Sequence, residues 1–577
     1  MKLILRYLQK YSWMILADFI CMAAIGLINL ALPCLTAFMI DNGVQTGNAD
    51  LIWSLFWLMI AGCAVLLGLQ VLGYWVSSKI MTGVVYDLRK DLFDHALSLS
   101  HQEIRKLGIS SLITRTSSDS YQVMNFLNLM LRMTVFISAL FLSSVVLALY
   151  TNVPLGLIVL VSIPLIVGGT VLMAKLSEPL SVRRQKSQDR INGILRNSLK
   201  GLRVIRAFCT EKTEEQRFKK ENDEFRSASS SLMKLTKMTE PAFILLQGIL
   251  TAALYFAGSL MIQNGSIQIG QLIAFLEYLS YLMVSVLLFC EVFAEFPAAR
   301  VCARRMDEVL QTTTSIDPEG NGKILEPVQS LEFDHVDFKY PDGESLVLKD
   351  ISFHALAGQK IAVVGSTGSG KSSLGKLIPR FYDVSSGTIK INGCSLQEYA
   401  PASLRDQVGY ISQKPHLFSG TIQENIDFLH AGAHPLETML AAFTAQAFPF
   451  IHEREKGFEG CVSEQGANLS GGQKQRLSIA RALMKNPGLY IFDDSFSALD
   501  FATDSRLRRA LAPALKKSIF LVAAQRISTI LDADQIIVLD KGEMAGIGTH
   551  SQLFQTCSEY REIVLSQMSE QEALNYA

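Results

Sequence analysis

At 577 residues, with 49% apolar side chains and a mean hydropathy of +0.27, the chain has room for two or more domains and is too apolar for an ordinary soluble protein. Its 53 basic side chains balance 53 acidic ones, which excludes a bulk attraction to nucleic acid. Nine cysteines lie scattered with no CxxC pair, which excludes a zinc or disulfide framework and makes them small apolar fillers.

The apolar excess is confined to the first half. Apolar runs fall at roughly 13–40, 51–76, 128–150, 153–175, 241–263 and 270–295. Each is long enough to cross a hydrocarbon core of about 30 Å at 1.5 Å per helical residue. The first is too long for a signal peptide and has no convincing cleavage site after it. The linkers alternate in basic content. Lys2, Arg6 and Lys10 precede the first run, and the loop near Asp41 to Asp50 carries no Lys or Arg. Segment 77–127 holds Lys79, Arg89, Lys90, Arg105, Lys106 and Arg115, while the turn Thr151–Pro154 holds none. Segment 176–237 is strongly basic (Arg183, Arg184, Arg203, Arg206, Lys219, Lys220), and the turn Asn264–Ser266 is not. The positive-inside bias therefore places both termini and both long segments in the cytoplasm, in a multi-pass protein of the plasma (inner) membrane. Such orderly flanking charge argues against a soluble bundle of six buried helices. The long segments read as helix with few breakers.

Asp18, Arg132, Glu277, Glu291 and Glu295 fall in or beside apolar runs and are expected to face a cavity or a neighbouring helix. Glu277 suits either a cationic substrate or an interhelical hydrogen bond.

Composition shifts at 311–330, where Thr312 to Thr314, Asp317-Pro318-Glu319-Gly320 and Gly322 read as a linker between a membrane domain, 1–310, and a second domain, 331–577. There the pattern changes to short apolar strands, turns and helices. Tyr340, ahead of the first expected strand pair, is a candidate to stack on adenine. The strand Ile361–Val364 enters the loop Gly365-Ser366-Thr367-Gly368-Ser369-Gly370-Lys371-Ser372, and a helix begins at Lys371, followed by Ser373. This is the strand, loop and helix setting of a phosphate loop. Its glycines let backbone N–H groups close on the β-phosphate, Lys371 suits the β- and γ-phosphates, and the Ser372 hydroxyl suits Mg²⁺. Gln413 is expected to sense the γ-phosphate and metal. A second buried strand, Leu489–Phe492, ends in Asp493, placed to hold Mg²⁺ through water, and Asp494. Ser497-Ala498-Leu499-Asp500 follows and is expected at a dimer seam.

Between these lies Asn468-Leu469-Ser470-Gly471-Gly472-Gln473, opening a predicted helix over 471–485. A helix N-terminus with Gly471, Gly472 and Gln473 behind Ser470 is a good anion site. It is expected to face the γ-phosphate held by another subunit.

With these motifs in this order, all 577 residues resemble an ABC exporter half-transporter: a membrane all-α six-helix transmembrane domain fused to an α/β P-loop ABC nucleotide-binding domain. The resemblance implies two chains with two ATP sites, cassette closure on ATP that turns the cavity outward, and hydrolysis that resets it. It implies contact points with the ATPase domain at Thr116–Gln122 and Ala207–Glu214. It also exposes two departures. Working sites of the family carry Glu, the base for water, where this chain has Asp494, and His where this chain has Gln525. The shorter side chain withdraws the carboxylate by about 1.5 Å, and Gln cannot carry imidazolium charge. Glu464-Gln465-Gly466 also resembles the heterodimeric bacterial branch. The implied partner is a second half-transporter with the intact Glu and His. The implied cargo is a hydrophobic or cationic small molecule, drug-like or lipid-like. Narrower cargo, a peptide or thiol compound, and a nucleotide-regulated channel or scaffold are the alternatives; an importer fits least.

Overall fold

The computed structural model describes residues 2–317, 320–428 and 434–575. It divides into two units: residues 1–93 with 110–311, and residues 94–109 with 312–577. Pro318 and Glu319 of the expected linker lie outside the described residues.

The first unit is all helical. A short amphipathic helix, α1 (Lys2–Gln9), buries Leu3, Ile4 and Leu8 and leaves Lys2 and Arg6 exposed. Then come α2 (Ser12–Met39) and the start of α3 (Ala49–Ser98), whose end, with α4 (His101–Leu107), belongs to the second unit. They are followed by α5 (Ile109–Thr114), α6 (Ser120–Thr151), α7 (Val153–Lys200), α8 (Leu202–Ala207), α9 (Glu211–Gln263) and α10 (Ile269–Gln311). Among the described residues, six helical stretches are long and apolar enough to cross a membrane. The helices run well past the apolar runs because little in segments 77–98 and 176–200 breaks a helix; α7 reaches 48 residues and α9 reaches 53. Arg190 ties α7 to α9 through Glu221 and Glu224, each at 3.3 Å.

α10 is the packing centre. Half of its most apolar window is buried, against 6% for α3. Phe275, Tyr278, Leu279 and Leu282 pack with Leu155 and Val159 of α7 and Leu254 of α9. Trp53, Trp57, Leu67 and Trp75 of α3 stay exposed, a surface suited to lipid. The carboxylate of Asp41 accepts a hydrogen bond from the Gly270 N–H at 2.6 Å, a favourable position at a helix N-terminus.

The ionisable residues in the apolar runs divide. Ser77 Oγ donates to buried Asp18 at 2.5 Å, joining α3 to α2. The Arg132 guanidinium lies over the Tyr74 ring at 4.1 Å. Gln122 donates to Glu295 at 2.7 Å. Glu277 and Glu291 are exposed and form no hydrogen bond or ion pair among the described residues.

Thr116–Gln122, the expected contact point, belongs to the membrane unit. Its surroundings are held by α10: Arg115 pairs with Glu308 at 3.0 Å, and Asp119 with Arg305 at 3.2 Å. The residues of this segment that group with the ATPase unit are 94–109, centred on α4.

The second unit is α/β. Its strands are β1 (Ser330–Phe338), β2 (Leu348–Leu356), β3 (Lys360–Gly365), β4 (Ser386–Ile391), β5 (Cys394–Ser395), β6 (Val408–Ile411), β7 (Gly420–Thr421), β8 (Cys461–Val462), β9 (Leu489–Asp493), β10 (Ile519–Ala523), β11 (Gln535–Asp540) and β12 (Glu543–Gly548). An antiparallel sheet runs β2-β1-β4-β5. A six-stranded sheet runs β12-β11-β3-β10-β9-β6, parallel except for β12. Its central strands are buried on both faces, which explains their unbroken apolar sequence. Ile361, Val363, Ile491 and Leu521 fill one core; Ala362, Val364, Tyr490, Phe492 and Val522 fill the other.

Candidate functional site

In parallel α/β sheets ligands bind outside the carboxyl ends of the strands. Here four adjacent strands deliver the predicted residues there. β3 leads into Gly365–Ser372, β6 into Gln413, β9 into Asp493 and Asp494, and β10 into Gln525.

The loop after β3 requires its glycines. Gly370 caps α11 (Lys371–Leu377) at φ 106°, and a Cβ there would press on Leu348. At Gly365 (φ 153°) a Cβ would collide with the Leu539 carbonyl. Lys371 Nζ donates to the Gly365 and Ser366 carbonyls at 2.8 Å each. Burial pulls its pKa down, against the pull of Asp494 and Asp493. The Ser369 hydroxyl is buried with no hydrogen-bond partner among the described residues, an unmet polar group inside the loop.

Ser372 Oγ donates to Asp493 at 2.6 Å. A hydroxyl beside a carboxylate is the all-oxygen chemistry that Mg²⁺ takes. Among the described residues no group of three or more His, Cys, Asp or Glu could hold a metal. A cation here would rest on Ser372, Asp493 and the candidate Gln413, with phosphate oxygens completing its shell.

Sequence reasoning missed Tyr410. Its hydroxyl donates to the other Asp493 oxygen at 2.9 Å, and burial, with Asp493 beside it, drives its pKa far up. The available signal was a phenol in the otherwise apolar strand Val408–Ile411. Tyr410→Phe is expected to cost about 1.5–3 kcal/mol, the worth of a hydrogen bond to a charged group. Thermal unfolding of the purified chain reads this, and an unchanged midpoint would show the bond to be replaceable by solvent.

Asp494 sits in the left-handed region at φ 49°, a conformation that Asp tolerates, with its N–H donating to the Ala523 carbonyl at 2.8 Å. One carboxylate oxygen accepts from Gln413 Nε2 at 2.9 Å and from Gln525 Nε2 at 3.0 Å. The three candidate catalytic residues thus form one cluster. Burial raises the Asp494 pKa, while Gln413, Ser497 and Lys371 oppose the shift.

Tyr340 lies after β1 and before β2, and not ahead of the strand pair as expected. Lys339 and Tyr340 follow the last strand residue, Phe338, and lead into the turn at Pro341 and Asp342. Its ring packs edge-on against Phe338 and Tyr382, its hydroxyl bonds Ser373 at 2.9 Å, and the Arg105 guanidinium of α4 stands 5.9 Å from its centroid. His101 of α4 stacks on Phe381.

Ser470 caps the helix Gly471–Met484 in a reciprocal box with Gln473: the Gln473 N–H donates to Ser470 Oγ at 3.3 Å and the Ser470 N–H to Gln473 Oε1 at 2.9 Å. Gly472 lies beside the Ala498 carbonyl. Among the described residues no hydrogen bond joins 470–473 to 365–372. Asp500 accepts from the Thr503 N–H at 2.8 Å, which lowers its pKa, and Arg526 holds the Ser497 and Leu499 carbonyls at 2.9 and 3.0 Å.

Two families match the two halves of this arrangement: "ABC transporter transmembrane region" over residues 15–286 and "ABC transporter" over residues 348–497. The chain is 34% identical over 564 residues to the uncharacterized ABC transporter ATP-binding protein YfiB of Bacillus subtilis, covering 98% of each. It is 30% identical over 561 residues to the ATP-dependent lipid A-core flippase of Haemophilus influenzae, covering 96% of this chain and 93% of that protein. A solved bacterial Atm1-family ABC exporter with ATP bound superimposes with a TM-score of 0.81 at 25% identity, over 96% of this chain and 99% of that one. The chain belongs to the ABC transporter family as an ATP-hydrolysing exporter half-transporter, its six-helix membrane region fused ahead of its nucleotide-binding domain.

Proposed function

We propose that this chain is the weakly hydrolysing subunit of a heterodimeric exporter of amphipathic molecules, drug-like or lipid-like. The observation that carries the reading is the Asp494 carboxylate, bridged by two neutral amides, Gln413 and Gln525. Neither amide titrates, so neither can take or supply a proton. Asp494 is also one methylene shorter than the base of working family sites. ATP would bind at Gly365–Ser373 with adenine toward Tyr340. Ser372, Gln413 and Asp493 would hold Mg²⁺, which neutralises phosphate charge when bound. Ser470 to Gln473, with Asp500 at the seam, would complete the partner's site.

The basic segments support a cytoplasmic ATPase domain. The segment Ala207–Glu214, with Phe208 75% exposed, is suited to dock on a partner's cassette. The amphipathic cargo is favoured by the likeness to a lipid flippase.

The chain purified alone is expected to hydrolyse ATP some 10²–10⁴ times more slowly than a complex with its partner half-transporter. Vigorous turnover by a verified homodimer would overturn the reading. A neighbouring reading frame of similar length, with Glu and His at the two positions, would identify the partner.

A further inference from the structure

We infer that the membrane unit carries a binding site for an anionic phospholipid of the cytoplasmic leaflet, between α1 and the end of α10. A groove of about 530 Å³ opens there. Three cations line it, Lys2 from α1 and Arg300 and Arg304 from α10. All three are exposed, and none forms an ion pair among the described residues. This is unlike their neighbour Arg305, which pairs with Asp119.

The apolar part of the lining is ordered along the helix. Phe296, Arg300 and Arg304 recur at every fourth residue and so share one face of α10, with Val301 beside them. Along α10 toward its C-terminus the face passes from Phe296 to Arg304, from apolar to cationic. Leu3 forms the floor from α1. One negative group is present: Asp307 lines the far end, where its carboxylate accepts from Gln311 Nε2 at 2.8 Å. Three unpaired cations against one carboxylate leave a net positive groove.

The level in the membrane matches. From Ile269 to Arg300 the helix rises about 46 Å at 1.5 Å per residue, slightly more than the 40–45 Å of a bilayer with its headgroups. With α10 tilted, Arg300 falls at the headgroups of the leaflet opposite the 264–266 turn. The amphipathic α1, with Leu3, Ile4 and Leu8 inward and Lys2 and Arg6 outward, belongs at the same level. A lipid phosphodiester would sit among Lys2, Arg300 and Arg304, with its acyl chains along Phe296 and Val301. Zwitterionic lipid would leave the cations without a net counter-charge. The inference rests on the inward orientation of the basic segments and is independent of cargo, because its test reads binding and not transport.

The full-length protein in detergent micelles is titrated with phosphatidylglycerol carrying a fluorescent acyl chain and read by anisotropy, with phosphatidylcholine of the same tail as the second arm. Each cation near an anionic headgroup contributes roughly a fivefold factor, so Arg300→Gln with Arg304→Gln should weaken phosphatidylglycerol binding about thirtyfold. Lys2→Gln should weaken it about fivefold and keeps the test open if the double variant does not fold. Phosphatidylcholine should bind more weakly and not respond to either change. Unchanged affinity in the variants, or equal binding of the two lipids, would overturn the site. Displacement by millimolar inorganic phosphate would overturn the lipid assignment in favour of a free anion.

Discussion

Replacing Asp494 by Glu and Gln525 by His together is expected to raise ATP hydrolysis at this chain's own site by about 10²–10⁴-fold. The rest of the site is in place: the glycine loop, Lys371, Ser372 and the doubly bonded Asp493. The backbone at position 494 is anchored by the bond to Ala523, and Ser497 Oγ donates to the Asp494 carbonyl at 2.8 Å, so a longer side chain extends from a fixed root. On the proposed reading its carboxylate would come within reach of the attacking water. The cost is modest, since Glu is less at ease than Asp at φ 49°. His at 525 would add a group able to carry charge beside the phosphate. Each single change should give less than the pair, because the two act on one reacting water. The measurement is steady-state turnover, with the partner's Glu replaced by Gln to silence the other site. No rise in the double variant would mean that Asp494 and Gln525 do not limit the chemistry.

Much of this was legible in the chain, for identifiable reasons. Apolar runs long enough to span lipid announce six crossings, because lipid leaves backbone polar groups no partner but the helix itself. Phosphate-loop and signature residues are legible because backbone geometry dictates them, as the Leu539 carbonyl against Gly365 illustrates. Side chains that support those residues from a distance were not. Tyr410 is one position in an apolar strand, and only folding brings it to Asp493 from 83 residues away. The start of α4 is hard to read from sequence for a related reason. Residues 77–127 read as nearly continuous helix, and helix alone does not mark its own end. The break comes at the Ser100–Glu103 capping box, which starts α4 and carries His101 to Phe381 and Arg105 to Tyr340. A serine followed three residues later by glutamate was the available signal. Tyr340 is expected ahead of the first strand pair, whereas β1 ends at Phe338, two residues before it.

Ser470→Arg should all but abolish turnover of the assembled transporter while leaving both nucleotides bound. Ser470 is exposed, so the larger side chain does not disturb a core. Losing the cap oxygen costs the helix about 1 kcal/mol, too little to unfold the domain. Its place at the head of the helix Gly471–Met484 is what makes the change severe. On the proposed reading its N-terminal amides would receive a γ-phosphate from the partner, and an arginine would fill that position. Ser470→Ala, which removes the hydroxyl and adds no bulk, isolates the lost cap and should retain most activity. Binding of ATP to each chain and phosphate release by the pair are measured separately. Loss of release with binding intact is the expected pattern. Normal release from Ser470→Arg would mean that this signature helix does not serve the productive site, and the assignment of a strong clamp and a weak catalyst to one polypeptide would fail with it.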